Sequence, residues 1–98
     1  MTIEIKRNAE ETTIKLVGRL DTTTAPALDK TIGEDITGTK NLVLDVKELE
    51  YISSAGLRVL LGAQKKMQKV GSMKVTNVRE EVMEVFEMTG FADILVIE

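Results

Sequence analysis

Two adjacent hydroxyls, Ser53 and Ser54, stand in the stretch EYISSAGLRVLLG at residues 50–62, between an apolar run and a strongly helical pattern. A serine at a helix start is most simply an N-cap, its oxygen accepting a bond from a first-turn N–H and contributing about 1 kcal/mol. The same place suits an added anion, because unpaired first-turn N–H groups and the positive end of the helix dipole both face it. A phosphoryl group on serine brings about −1.5 to −2 charges near neutral pH, and a helix start is where the host domain tolerates it best. Gly56 and Gly62 each cost roughly 0.5–1 kcal/mol in a helix relative to alanine. They predict a flat strip of small residues beside the serines, with Leu57 or Val59 at its margin, onto which another protein docks.

Little other chemistry is on offer in 98 residues. The chain has no cysteine and no histidine, so it lacks a thiolate, a disulfide framework, the commonest metal ligand and the commonest general base. There is no GxSxG, Walker loop, GxGxxG or HExxH. Glu10-Glu11, Glu34-Asp35 and Glu80-Glu81 are sequential neighbours that point apart on a strand or helix and read as solvated charge. Lys65, Lys66 and Lys69 read as a helix end answering the negative pole of its dipole. The composition therefore predicts no enzyme, no metal site and no cofactor. A small hydrolase built on Ser54 would have no histidine base. Thirteen basic and 16 acidic residues, net −3, leave no basic stripe, and the three aromatics Tyr51, Phe86 and Phe91 are too few for a base-stacking platform. Nucleic acid is not the expected partner. MTIEIKR alternates apolar with charged, and no apolar run approaches the roughly 18 residues of a membrane span. The expectation is a soluble, cytoplasmic protein with no direct membrane insertion.

The elements that must position the serines follow from periodicity. Residues 2–8 and 12–20 alternate with period two, joined by the polar Asn8-Ala9-Glu10-Glu11, and predict a hairpin. NLVLDV (41–46) is almost continuously apolar, as in a parallel strand covered on both faces; MKVTNV (73–78) and ILVI (94–97) predict two further strands. A helix from about Thr23 to Ile36 is marked by Leu28, Ile32 and Ile36, with Pro26 in its first turn and Gly38 as its stop. A second, from about Ser54 to Val70, has Leu57, Leu60, Leu61 and Met67 on one face and ends at Gly71. A third presents Val82, Val85 and Phe86, with Asn77 and Glu80 as a capping pair and Gly90-Phe91 as a glycine stop. Strand, strand, helix, strand, helix, strand, helix, strand predicts an α/β fold: a single small domain over residues 1–98, with a mixed, mostly parallel sheet, an antiparallel first strand and three or more helices.

Three stretches in this order, GRLDTTTAPAL (18–28), LVLDVKELEYISSAGLRVLLG (42–62) and VFEMTGF (85–91), resemble the STAS domain of bacterial anti-sigma factor antagonists. The resemblance implies a partner-switching module. Unmodified, such a protein binds an anti-sigma factor that is also a serine kinase; phosphorylation releases it, and a PP2C-type phosphatase resets it. Alignment through Gly56-Leu57 places the family's phosphoserine at Ser54. Many members read Asp-Ser-Ser-Gly at this site, whereas this chain reads Ser53-Ser54-Ala55-Gly56, which makes Ser53 a rival acceptor. Asp21 and Asp45 match acidic positions near the family's phosphosite. The expected docking face comprises Asp21, Thr22 and Thr23 with Ser53, Ala55, Gly56, Leu57, Arg58 and Gly62, and Asp45 supports the site. The resemblance also admits a phosphorylation-independent subunit of a lipid transporter or a stressosome-like scaffold.

Overall fold

A computed structural model describes the chain from Met1 to Glu98, the side chain of Asp35 excepted. The strands are β1 (Thr2–Asn8), β2 (Glu11–Leu20), β3 (Asn41–Ile52) and β4 (Ser72–Thr76); the helices are α1 (Ala25–Asp35), α2 (Ser54–Gln68) and α3 (Glu80–Thr89), followed by a 3-10 turn at Phe91–Asp93. The sheet order is β1-β2-β3-β4, with β1 antiparallel to β2 and the other pairs parallel. The mixed sheet with an antiparallel first strand is thus as the alternation predicts.

One sheet face builds the core. Ile14 and Leu16 of β2, Leu42, Leu44 and Val46 of β3, and Met73 and Val75 of β4 are buried in a single cluster. It includes Leu28 and Ile32 from α1 with Ile36 at its C-cap, Leu57, Leu60 and Met67 from α2, and Val82 and Phe86 from α3. Crossovers that step along the sheet in one direction with right-handed sense bring their helices to one side of it. The alternate face, with Thr13, Lys15, Val17, Asp45, Lys74 and Thr76, is half-exposed, and Lys15 pairs there with Glu48 at 2.7 Å. The expectation that the 41–46 strand is covered on both faces is therefore corrected: Val43 is buried, but it lies outside the contiguous core.

β3 also runs six residues beyond the expected end, and the register explains why. Between Lys15 and Val17, and again between Gly18 and Arg19, β3 advances one residue more than β2. These bulges replace the period of two with one of three, so that Val46, Leu49 and Ile52 are buried and the pairs between them exposed.

Other local expectations are revised. The run at 94–97 is not a strand; it makes an isolated parallel bridge from Ile97 to Val75. Asn77 does not cap α3. It takes a left-handed conformation at φ 58° and donates from its side chain to Asp45 Oδ1 at 3.2 Å, while Arg79 holds the N-cap position. Gly90 ends α3 at φ 82°, as its spacing predicts. Gly71 follows α2 for a different reason: a Cβ there would lie 1.8 Å from the Lys40 carbonyl oxygen. That contact accompanies the hydrogen bond from Ser72 N–H to the same oxygen, 2.8 Å, which joins the end of α2 to the start of β3.

Candidate partner-binding and modification site

β2 and β3 end side by side, Leu20 opposite Ile52, and the Ser53 N–H donates to the Leu20 carbonyl at 2.9 Å. This pairing brings the loop after β2 beside the start of α2. The two serines divide the roles that the sequence left open. Ser53 is the N-cap, with extended backbone (φ −97°, ψ 175°), and its half-buried Oγ accepts from the Gly56 N–H at 3.4 Å. Ser54 is the first helical residue and is exposed. A serine in that position directs its side chain off the turn whose unpaired N–H groups form the positive pole of α2. Arg58, also exposed, follows one turn later at i+4, near enough to meet a substituent on Ser54.

The loop at 21–24 is held by Asp21. Its Oδ1 accepts from the backbone N–H groups of Thr23 and Thr24 at 3.0 and 3.1 Å, and its carbonyl accepts from Ala25 N–H at 2.8 Å. Thr24 completes the unit, its hydroxyl accepting from Asp21 N–H at 2.9 Å and donating to the Arg19 carbonyl at 2.8 Å. The Thr24 and Thr23 hydrogen bonds, with the Arg19 guanidinium 3.9 Å away, hold the Asp21 carboxyl below the usual carboxylate range against a partial desolvation that acts the other way. Arg19 also lies over the Tyr51 ring, 4.3 Å from its centroid. Thr24, Arg19 and Tyr51 were not singled out from the sequence. The reciprocal spacing of Asp21 and Thr24 is the one signal that points to any of them.

Several expected docking residues occupy other places. Gly56 and Leu57 are buried. A Cβ on Gly56 would come within 2.7 Å of Leu20 and 2.9 Å of Ile52, so this glycine lets α2 approach the strand ends from the inside. Gly62 is exposed with open space around it. At 100° per residue, six residues carry the two glycines about 120° apart, so they cannot form one flat strip. Asp45 lies seven residues before the end of β3, roughly 23 Å along the strand at about 3.3 Å per residue, and its carboxylate orders Lys47 N–H and Asn77. It does not support the serines. The expectation failed because the strand does not end at Val46. The exposed surface at this end comprises Thr22, Thr23, Ser54 and Arg58, with Asp21, Ser53 and Ala55 half-buried among them.

A recess of about 500 Å³ lies at the opposite end of the parallel strands, lined by Ile36, Met67 and Val70 with Lys40, Lys66 and Lys69. Its lysines flank the C-terminal turn of α2, whose carbonyls they offset.

The connectivity, the strand-end pairing and a capped helix with an exposed serine at its first residue now stand together. The STAS domain family matches residues 2–98. The chain belongs to that family. A relative named anti-sigma-B factor antagonist, from Bacillus subtilis, is 29% identical over 95% of this chain and 86% of its own length. The crystal structure of an anti-sigma factor antagonist from Mycobacterium paratuberculosis superposes with a TM-score of 0.88 at 24% identity, covering 98% of this chain and 83% of the other. The Bacillus cell fate determinant SpoIIAA in its phosphorylated form superposes at 0.77 with 19% identity, over 99% and 91%. These likenesses place the chain's STAS fold alongside both structures. No helix among the described residues is long and apolar enough to cross a membrane.

Proposed function

We propose that this STAS domain is an anti-sigma factor antagonist switched at Ser54. Its unmodified α2 start, with the 22–23 loop and Arg58, docks on an anti-sigma factor that is also a serine kinase. Transfer of phosphate to Ser54 ends the complex, and a PP2C-type phosphatase restores the bare hydroxyl. The observation that carries this reading is the division of labour between the serines: Ser53 spends its oxygen on the helix, and Ser54 offers its own to solvent. The names of the relatives agree with it. The module itself needs no catalysis; the kinase supplies the chemistry.

The switch needs no change of fold. A dianion on Ser54 is met within the domain by the α2 dipole and Arg58, whereas in a closed interface it faces desolvation without a partner. An uncompensated interfacial charge costs several kcal/mol. At 1.4 kcal/mol per tenfold, a penalty of about 3–4 kcal/mol dissociates a micromolar complex. Ser54→Ala is expected to bind the cognate anti-sigma factor and to accept no phosphate. Ser54→Asp is expected to bind at least tenfold more weakly while melting within a few degrees of the parent chain. Titration calorimetry and mass spectrometry after incubation with kinase and ATP check both. Equal binding by the two variants, or phosphate found on Ser53, overturns the assignment.

A further inference from the structure

The edge strand β1 pairs only with β2, which leaves one row of its backbone N–H and C=O groups facing solvent. Its apolar side chains are also incompletely covered. Ile3 and Ile5 lie opposite the buried Leu16 and Ile14, on the core side of the sheet, yet Ile5 is 42% exposed. On the other side of the strand Glu4 and Lys6 are exposed, and neither makes an ion pair within the chain among the described residues.

The strand reads TIEIKRN, and Glu4 and Lys6 flank Ile5 with opposite charges. We propose that β1 is a seam between two copies of this chain, joined antiparallel and centred on Ile5. In that register Ile5 faces Ile5 of the second copy, Glu4 faces Lys6, Lys6 faces Glu4, Ile3 faces Arg7, and Thr2 faces Asn8. Directly opposed residues share a sheet face, so the two Ile5 side chains meet on the core side and two ion pairs form on the other. Parallel pairing in register would set like charges together. Charged edge strands turn away foreign strands. A second copy carries the answering charge at both Glu4 and Lys6.

The two-fold axis of this arrangement stands normal to the sheet. It yields a continuous eight-stranded sheet, with the helices of both copies on one face and their Ser54 turns pointing to opposite ends. The seam does not depend on the role of Ser54 and leaves both serines open. One seven-residue edge buries less than a standard stable interface, so the dimer forms in the micromolar-to-millimolar range.

Sedimentation equilibrium of the full chain up to about 1 mM tests the seam. The weight-average mass should rise with concentration from 10.8 kDa toward twice that value. Glu4→Lys sets lysine against lysine at both pairs, and Lys6→Glu sets glutamate against glutamate; each should weaken association about tenfold. An equimolar mixture of the two single variants restores opposite charges across the seam and should associate as the parent chain does, as should the double exchange. A parent chain that stays at 10.8 kDa throughout overturns the proposal, and so does a mixture that associates no better than its components.

Discussion

Ser53 and Ser54 are chemically identical and one residue apart, and their fates differ through backbone geometry alone. Extended backbone at Ser53 turns its oxygen back toward the first turn, where Gly56 N–H meets it. Helical backbone at Ser54 turns its oxygen away. Asp21 shows how far a half-exposed residue can be committed to its own loop, with two backbone N–H donors on its carboxylate and the Thr24 hydroxyl oxygen 3.2 Å from it. Because the folded chain holds this carboxyl below its ordinary value of 3.8, the unfolded chain binds the proton more readily. Its contribution is complete above pH 3.8 and disappears as pH falls through the lower folded value. Asp21→Ala is therefore expected to lower the melting temperature at pH 7, with a gap to the parent chain that narrows as the pH falls below 3.8 and through the lower folded value. Thermal melts at pH 7, 5 and 3 check this; a gap that is constant with pH would assign the loss to packing. Gly56 was legible as a costly residue, but not the direction of its contact, since a missing side chain carries no sign of which neighbour required its absence.

At the scale of elements, the boundaries moved wherever two segments had to be in contact to set them. The bulges opposite Lys15–Val17 and Gly18–Arg19 exist only in the pairing of β2 with β3, and they carry β3 on to Ile52 with buried residues every third position. Neither strand alone announces them. The helices were read more closely because a period near 3.6 is internal to one segment: Leu28 and Ile32 of α1 and Ile36 at its C-cap are all buried where their spacing puts them. The terminal ILVI run has strand-like composition but makes a single bridge, since β4 is only five residues long and offers little edge to pair with. Gly71 joins α2 to β3 through a contact that no side chain fits. Gly71→Ala should cost about 3 kcal/mol, because a methyl group meets a backbone carbonyl that cannot step aside without losing its bond to Ser72. For a domain of this size that is a fall in melting temperature on the order of 15 °C, to be read by circular dichroism.

For the whole molecule, a single apolar cluster joins one sheet face to all three helices, and Phe86 of α3 is its largest fully buried side chain. Phe86→Ala is expected to remove about 3–5 kcal/mol, a large share of the total available to a domain of this size, as measured by urea denaturation at 25 °C. The α/β class, the antiparallel first strand, three helices and the serine-capped start of α2 were all readable from residues 1–98 taken in order, because periodicity, glycine and proline stops and hydroxyl caps act within a few residues of themselves. The three-dimensional arrangement alone settled which serine is the cap, that Gly56 and Leu57 face inward, that Asp45 stands far from the serines, and that Ile5 lies uncovered at the edge of the sheet. Each of these depends on what lies opposite a residue across a sheet or under a helix, and that neighbour is supplied by a segment tens of positions away in the chain.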